Sequence, residues 1–413
     1  MKSIKLASGF AVSALALAIA GQATAQTANL TFSGDLKVQT IIDLENNQYR
    51  NAQPGLISAS EDWYNLDARW AFSNGPFSGR LRVGTFGGSA TGAVGRGGEA
   101  LVTVDSLLVT EGPVQFGQVG RVTATASLYE RLTKENDLFQ VENSSGNALG
   151  DESTRFNVDL GLRYTLSDLG LSLQLEAPRD REGVFGIAGA LHQNLDVAQV
   201  WVDGQYRVNT NGSGENLNDL GSGMESDGIY NVGVALQVAP VDQLTLTGVY
   251  RLVTDDAGVD PRAVYAVKLD VQATDDVSLF ALVTDRNANN QGTTGAANDS
   301  TVVRAGLTAS VAPFVVEAGY EANYAELFEG FIFTKATLTD GTLSAFVGFD
   351  YSFEGFGFDS KVATDGGFKL STGGSLTSAS GIVYGAEYTF TDSDFWSATA
   401  QGSEIELFAS YSF

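Results

Sequence analysis

The sequence predicts an all-β protein that closes into a single antiparallel transmembrane β-barrel. Apolar and polar residues alternate along many segments, which is the period of a strand with two different faces. Short turns alternate with long polar segments, and charged residues keep to one face of the clearest strands. These three observations favour a barrel of 16 strands, with 18 as the alternative, over a soluble β-sandwich.

The first 25 residues have the composition of a cleaved secretory signal peptide. Lys2 and Lys5 precede an apolar run over residues 6–19, and Ala23-Thr24-Ala25 supplies a small-residue cleavage site. The apolar run is shorter than a transmembrane helix requires. We therefore expect residues 1–25 to be removed and residues 26–413 to form the barrel.

Composition excludes several classes of protein. The chain is 43% hydrophobic and 10% aromatic, which argues against disorder. It has no cysteine and a single histidine, His192, so thiolate and multi-histidine metal sites are excluded and a hydrolase is not expected. We predict that the protein is not an enzyme and uses no cofactor or metal.

The mature chain is strongly acidic. Removing the two lysines of the signal peptide leaves 22 basic and 49 acidic residues, a net charge of 22 − 49 = −27. This balance argues against nucleic acid as a partner and favours cations near the protein. Exported proteins are also acidic for solubility alone, so the charge does not by itself predict ion selectivity.

The first predicted strands lie near the start of the mature chain. Residues 30–44 alternate apolar with polar side chains, and residues 64–73 do the same. Ser73-Asn74-Gly75-Pro76 then supplies turn chemistry before a strand that begins at Phe77. A similar unit spans residues 156–175 around Ser167-Asp168, so a hairpin is predicted in both places.

Further hairpins follow along the chain. Short turns are predicted near Asn194-Leu195, Pro240-Val241, Asp275-Asp276, Ala312-Pro313 and Asp340-Gly341. The longer polar segments between hairpins are residues 45–60, 86–99, 128–154, 210–227, 287–299 and 354–378. Short periplasmic turns and long external loops are typical of outer-membrane barrels.

The chain ends in one more alternating strand. The apolar positions are Ile405, Leu407, Ala409, Tyr411 and Phe413, and only Phe408 interrupts the polar face that carries Glu404 and Glu406. Both termini on the periplasmic side require an even number of strands. The strand candidates number about nineteen, so an element between residues 325 and 402 is missing or wrongly assigned.

Charge placement supports a barrel with a wet interior. In the clearest strands all charges lie opposite the apolar face: Asp35, Lys37, Asp43, Asp67, Arg69, Arg80, Arg82, Asp159, Arg163, Glu176, Glu317, Glu321, Asp350, Glu404 and Glu406. A lysine or arginine that faces lipid at mid-bilayer costs roughly 2 to 4 kcal/mol, which accounts for the exclusion. The polar face predicts a hydrated lumen and not a packed core.

The chain resembles the general diffusion porins of Gram-negative outer membranes, most closely the alphaproteobacterial kind. The signal peptide, the opening strand Leu30-Thr31-Phe32-Ser33-Gly34-Asp35-Leu36, the hairpin series and the terminal Tyr411-Ser412-Phe413 carry the resemblance over nearly the whole mature length. It implies a water-filled channel for passive diffusion of small hydrophilic solutes and ions. Tyr411 and Phe413 resemble the signal that this family presents to the outer-membrane assembly machinery.

A local resemblance concerns Val114-Gln115-Phe116-Gly117-Gln118-Val119-Gly120-Arg121, which is followed by alternating residues 122–128. In porins a similar run precedes a third loop that folds into the barrel and narrows it. The resemblance implies that residues 128–154 form this constriction loop, opposite a basic wall. The acidic loop residues are Glu130, Glu135, Asp137 and Glu142, and the basic wall residues are Lys37, Arg69, Arg80, Arg82, Arg121 and Arg163. Opposed charges create a transverse field that selects polar solutes.

The resemblance also implies a homotrimer in the outer membrane, in contact with lipid and lipopolysaccharide. The acidic surplus predicts a preference for cations, although the basic wall acts locally in the other direction. The alternative from a different class is a structural or adhesive outer-membrane barrel with a plugged lumen.

Two smaller signals have alternative interpretations. Residues 212–228 contain several oxygen ligands, but their spacing does not match an EF-hand, so a solvated external loop is favoured over a calcium site. Aromatic residues near strand ends predict interface girdles. Trp201 is the only tryptophan placed on the inner face, which is too little to predict a sugar-specific channel.

Overall fold

The structure is a computed structural model. It describes residues 29–44, 48–50, 64–84, 101–120, 122, 124–134, 160–177, 184–209, 228–255, 262–285, 301–323, 327, 330–354, 357–358, 361–362, 365–395 and 402–412. The predicted signal peptide and Phe413 lie outside these residues.

The described chain consists mainly of β-strands, with one α-helix. Helix α1 spans Ala124–Lys134, and a single 3₁₀ turn spans Ser167–Leu169. The strands are β1 Asn29–Asp43, β2 Gln48–Arg50, β3 Tyr64–Asn74, β4 Phe77–Gly84, β5 Leu101–Glu111, β6 Val114–Gly117, β7 Leu160–Leu166, β8 Leu171–Ala177, β9 Val184–Leu195, β10 Ala198–Asn209, β11 Gly228–Val241, β12 Leu244–Asp255, β13 Arg262–Thr274, β14 Val277–Asp285, β15 Thr301–Val311, β16 Phe314–Asn323, β17 Gly330–Asp340, β18 Leu343–Ser352, β19 Gly357–Phe358, β20 Lys361–Val362, β21 Gly367–Thr377, β22 Val383–Thr391 and β23 Gly402–Ser412.

The strands close into an antiparallel ring. Strands β3 to β18 pair each with the next, and the series continues through β21, β22 and β23. Strand β1 completes the ring, because residues 29–38 pair with β3 and residues 35–43 pair with β23. Strand β2 adds only a short pairing to β1. Of the 21 strands that the described residues form in the main sheet, 21 − 1 = 20 therefore make up the barrel.

The predicted number of strands, 16 or 18, is wrong. Those numbers allowed about 24 or 22 mature residues per strand, whereas 388 residues over 20 strands leave about 19, so the hairpins are more compact. One strand that the pattern hid is β21, which lies in the segment 354–378 predicted as a loop. The segment is rich in glycine and serine, with Gly373-Gly374 at the centre of the strand, and such residues are typical of loops.

Short turns connect the strands at one end of the barrel. Asp275-Asp276 and Ala312-Pro313 form turns as predicted, whereas the turns at Asp196-Val197, Asp242-Gln243 and Gly341-Thr342 fall one or two residues later than predicted. Strand β1 begins at this end, because Asn29 pairs with Ser73 beside the β3–β4 turn. An even number of antiparallel strands brings β23 back to β1 with its last residues at the same end.

The two faces of the barrel wall have opposite chemistry. Large apolar side chains stand exposed at alternate strand positions, among them Leu162, Tyr164, Leu173, Leu175, Val202, Val232, Val234, Tyr250, Val267, Leu307, Val347, Phe349 and Leu407. The positions between them hold buried polar side chains, including Gln174, Glu176, Asp203, Arg207, Asn231, Thr247, Arg251, Lys268, Thr284, Arg304 and Glu321. The polar face is therefore the inner one, and the apolar face is the outer one, as the alternation predicts.

An apolar outer face of this extent does not suit an aqueous environment. Monomeric soluble proteins rarely expose contiguous apolar patches of more than about 300 to 600 Å². Ring closure pairs the first strand with the last, which is the condition for a sheet to stand in lipid. Among the described residues, no helix has the length and hydrophobicity to cross a bilayer.

Neighbouring positions on β15 test this assignment of faces. Leu307 is outward and 38% exposed, and Thr308 is inward at the same depth. We expect Leu307→Arg to lower the free energy of unfolding in lipid vesicles by about 2 to 4 kcal/mol, because the guanidinium then faces hydrocarbon. Thr308→Arg is the matched control, and it should change the free energy of unfolding by less than about 1 kcal/mol because its guanidinium faces water. Equal effects, measured by urea titration of tryptophan fluorescence, contradict the assignment.

Candidate functional site: the inner wall of the barrel

The chain turns onto the inner face directly after the short strand β6. Gly117 has a φ of 114°, and a Cβ at this position would collide with the carbonyl oxygen of Leu107. The side chain of Gln118 accepts a hydrogen bond from the Leu107 amide at 2.9 Å. The Gln118 amide donates to the Leu107 carbonyl at 2.8 Å, so Gln118 continues the pairing of β5 past the end of β6.

Helix α1 lies against the inner face of β10 to β13. Its buried residues are Thr125, Ala126, Leu128, Tyr129 and Leu132, which is helical spacing. The wall positions Ala235, Val249 and Ala266 are adjacent across β11, β12 and β13, and all three are buried. This apolar patch on a polar wall matches the apolar side of the helix, and each large side chain buried there contributes about 1.5 to 3 kcal/mol.

A buried carboxylate fixes the first turn of α1 to the wall. The Asp203 carboxylate accepts hydrogen bonds from the Thr125 amide at 2.7 Å and from the Thr125 hydroxyl at 2.8 Å. The neighbouring wall position is Gly233, where any Cβ would collide with Thr125. Opposite Gly233, Arg251 donates a hydrogen bond to the Asn231 side chain at 2.6 Å. The helix therefore rests on a site with paired polar groups and no space for a larger residue.

A second polar network begins beneath the entry to α1. Arg163 Nε donates to Gln174 Oε1 at 2.7 Å, and Arg163 Nη2 donates to the Gly120 carbonyl at 3.0 Å. Gln174 Nε2 donates to the same carbonyl at 3.0 Å and to Glu176 Oε1 at 2.8 Å. The network joins the segment before α1 to the inner wall.

The same network spans β9 without a contribution from a β9 side chain. Gln205 Nε2 donates to Glu176 Oε2 at 2.6 Å, and Arg207 forms an ion pair with that oxygen at 3.4 Å. Gly186 lies between them on β9, where a Cβ would crowd both Glu176 and Arg207. A glycine at this position lets β8 and β10 interact across the strand between them.

Three further pairs of wall charges have opposite signs. Arg304 and Glu321 form a buried ion pair between β15 and β16. Lys268 Nζ lies 2.9 Å from Asp270 Oδ1, and Asp350 pairs in register with Lys369. A charge buried without a partner costs several kcal/mol, so a pore wall can hold charges only in such arrangements or in contact with water.

The predicted constriction residues divide into three groups. Arg69, Arg80 and Arg163 lie at inward positions of β3, β4 and β7, and Arg80 is exposed. The register places Lys37 on the inner face of β1 and Arg82 on that of β4, and Glu130 lies within α1. Arg121, Glu135, Asp137 and Glu142 lie outside the described residues. The opposition of the acidic and basic groups therefore stays a prediction.

Sequence reasoning missed the helix and its anchor. Residues 122–128 alternate in polarity, which is the period of a strand, but residues 124–134 form α1. The helical spacing of Thr125, Leu128, Tyr129 and Leu132 was the available signal. Asp203 was overlooked because an inward carboxylate on a strand looks like any other lumen charge.

The short turns carry a ring of carboxylates at one rim of the barrel. These exposed residues are Glu111, Asp168, Asp196, Asp242, Asp275, Asp276 and Asp340. The described turns at this end contain no lysine or arginine. The rim is therefore negative, while the wall above it holds charges of both signs.

The single histidine stacks on an inner-wall tryptophan. His192 and Trp201 pair across β9 and β10, with ring centroids 4.9 Å apart and planes 6° apart. No group of three metal-ligating side chains lies together among the residues that the structure describes. The calcium alternative for residues 212–228 falls almost entirely outside them.

Sequence comparisons give no assignment, since no protein family and no curated protein matches the chain. Solved structures similar to it include a mutant porin of Rhodopseudomonas blastica, at 10% identity over 93% of this chain and 100% of that one, with a TM-score of 0.39. Another is a loop-deletion variant of OmpT, an outer membrane protein of Vibrio cholerae. It is 14% identical over 94% of this chain and 100% of its own, with a TM-score of 0.34. Both TM-scores are below 0.5, so function is inferred from the geometry of this chain alone.

The anchor of α1 can be tested by proteolysis. In Asp203→Asn the carboxylate loses its charge but keeps its shape, so we expect α1 to detach and unfold more often and its backbone at Arg131, whose side chain is already exposed, to enter the trypsin active site more often. Hydrogen bonds to charged groups contribute about 1.5 to 3 kcal/mol, so cleavage after Arg131 should accelerate about tenfold. Glu317→Gln, on the distant strand β16, is the control and should leave the rate unchanged. An unchanged rate in Asp203→Asn contradicts the anchor.

Proposed function

We propose that this protein is an outer-membrane channel through which small hydrophilic solutes and ions diffuse passively. The observation that carries the proposal is the separation of side chains by face in a closed ring of 20 strands, apolar outside and charged inside. A closed sheet with an apolar exterior suits lipid, and a barrel of this size with a polar interior suits a water-filled passage. No catalytic role is proposed.

We propose further that residues 128–154 narrow this passage. The support is the position of α1, whose last seven residues belong to that segment and which lies on the inner wall of β10 to β13. In this proposal Glu130, Glu135, Asp137 and Glu142 face the basic residues Lys37, Arg69, Arg80, Arg82, Arg121 and Arg163 across the constriction. The resulting field favours polar solutes that can replace ordered water.

A preference for cations is part of the proposal. The carboxylates of the short-turn rim support it, because a mouth of one sign raises the local concentration of the opposite ion. The wall contributes less, because many of its charges are paired. The acidic surplus of the chain therefore acts mainly at the channel mouth.

The cellular setting follows from the same proposal. Residues 1–25 direct export, the short turns face the periplasm, and Tyr411 with Phe413 engage the assembly machinery. The apolar outer face contacts lipid and lipopolysaccharide, and a homotrimer is the proposed assembly.

A plugged structural barrel is the second candidate, and one observation favours it. Phe395, in the connection before β23, is buried and packs against inward Phe331 with ring centroids 6.1 Å apart. Helix α1 and the segment at Phe395 both lie inside the barrel. The cross-section of the lumen that they leave open decides whether the barrel is a channel or is plugged.

Planar-bilayer recordings distinguish the two candidates. We expect purified protein to insert with discrete conductance steps, because the inner wall is polar and hydrated. Heat-unfolded protein is the control for detergent and contaminants. Insertion without conductance, shown by a heat-dependent shift in gel mobility of the recovered protein, contradicts the channel and supports the plug.

The rim carboxylates can be tested by reversal potentials in a potassium chloride gradient. We expect the quadruple variant Asp168→Asn, Asp196→Asn, Asp242→Asn, Asp340→Asn to reduce the ratio of cation to anion permeability by about twofold or more at low salt. The effect should disappear near 1 M salt, where the Debye length is about 3 Å. Asn74→Asp adds a carboxylate to the rim and should raise the ratio. An unchanged or raised ratio in the quadruple variant contradicts the rim as the source of selectivity.

A further inference from the structure

The first residues of the β22–β23 connection fold back onto the inner face of the wall. Thr391 and Gly402 pair at the ends of the two strands. The Asp392 amide then donates to the Phe368 carbonyl at 2.9 Å, which extends the pairing of β21 with β22 by one residue. Connections between strands usually run over the surface of a protein. Residues 392–395 turn inward instead, and we call them the inward segment.

A tight turn built by Asp392 sets the direction of the inward segment. Asp392 Oδ1 accepts hydrogen bonds from the Asp394 amide and from the Ser393 hydroxyl, each at 3.2 Å. The Phe395 amide donates to the Asp392 carbonyl at 3.2 Å and closes the turn. Aspartate and serine favour turns because their side chains bond to nearby backbone groups. The sequence Asp392-Ser393-Asp394-Phe395 therefore reverses the chain and brings Phe395 against the wall.

Three neighbouring strands form the surface on which Phe395 lies. The register sets Phe331 of β17, Ser352 of β18 and Gly367 of β21 in one row on the inner face, and all three are buried. The Phe395 ring packs against the Phe331 ring, with centroids 6.1 Å apart and planes 63° apart. The Ser352 hydroxyl donates to the Gly367 carbonyl at 3.3 Å, so the polar side chain of this row has a partner.

The wall is matched to the inward segment at both ends of this row. A Cβ on Gly367 would lie 2.1 Å from the Phe395 nitrogen and 2.3 Å from the Asp394 carbonyl carbon. Both are backbone atoms, so no side-chain rotation relieves the collision. At the other end, an inward phenyl ring on a hydrated wall would expose apolar surface to water. Here Phe331 has 0% exposure and Phe395 has 3%, so each ring gains from the contact.

The inward segment and helix α1 cover different parts of the wall. Helix α1 lies on β10 to β13, whereas the inward segment lies on β17, β18 and β21, and β14 to β16 separate the two sets in the ring. They also differ in depth. Val249, beneath α1, is in the middle of β12, whereas Ser352 is the last residue of β18, at the end opposite the short turns.

We infer that the inward segment is a second constriction of the channel, at the end of the barrel opposite the short turns, and that Phe395 positions it. A layer of chain on the inner wall reduces the free radius, and the passage of a hydrophilic solute depends on that radius. The inward segment therefore limits the size of the solutes that enter, independently of α1. The narrowing rests on the proposed channel function, whereas the seating of Phe395 on the wall does not.

Cysteine labelling in detergent tests the seating of Phe395 without any need for conduction. The chain has no cysteine and Ser352 has 0% exposure, so a water-soluble maleimide should label Ser352→Cys slowly. Phe395→Ala or Gly367→Ala should raise that rate about tenfold or more, because each displaces the inward segment. Phe395→Leu keeps an apolar side chain and should keep the rate low. Phe390→Ala, which removes a phenyl group from the outer face of β22, is the matched control. Ser371→Cys, inward and partly exposed, should label equally in all backgrounds.

Planar bilayers provide the second readout. Phe395→Ala and Gly367→Ala should raise the single-channel conductance about 1.5-fold and admit a larger polyethylene glycol than the wild type. Phe395→Leu and Phe390→Ala should change neither quantity.

The two readouts separate the possible failures. Absence of conductance in every variant, with labelling as expected, refutes the channel and the constriction with it, but not the seating of Phe395. Labelling of Ser352→Cys that is already fast with Phe395 present, or that Phe395→Ala does not accelerate, refutes the seating. Faster labelling with unchanged conductance and polymer size limit shows that the inward segment lies beside the passage, and refutes the constriction.

Discussion

The structure depends on one constraint: in lipid, every backbone amide and carbonyl must find its partner within the protein. A sheet meets this condition only when its first and last strands pair. Here residues 35–43 of β1 pair with β23 while residues 29–38 of the same strand pair with β3. The even number of strands follows from that closure, as does the separation of the wall into an apolar and a polar face.

Several glycines on the inner wall lie where another side chain packs against the wall. Gly233 leaves space for Thr125 of α1, and Gly186 lets Glu176 approach Arg207 across β9. Gly373 and Gly385 lie beneath phenyl rings. The wall is therefore shaped by small residues at fixed register positions, and the polar groups above them are held by partners on neighbouring strands.

Alternation was sufficient to predict a barrel and the face of the charges that the structure describes, because a strand has a period of two whatever its neighbours are. It was also sufficient to place Glu404 and Glu406 inside. It was not sufficient to count strands, since the serine and glycine residues of β21 made that segment look like a loop. The interior contacts were hidden for another reason: Thr125 and Asp203 are 78 residues apart, and no local pattern indicates that they meet. Phe408 looked like an interruption of the polar face until the register set it over Gly385.

The central claim is that the two faces of the wall meet water and lipid respectively. The chain has no cysteine, so single cysteines can be placed one at a time along β23 from Ser403 to Ser410 in protein reconstituted in vesicles. We predict that a water-soluble maleimide labels positions 404, 406, 408 and 410 rapidly, and that a lipid-bound quencher reaches a fluorophore at positions 405, 407 and 409. Uniform labelling along the strand would contradict the account, and so would labelling at positions 405, 407 and 409 with quenching at 404, 406, 408 and 410.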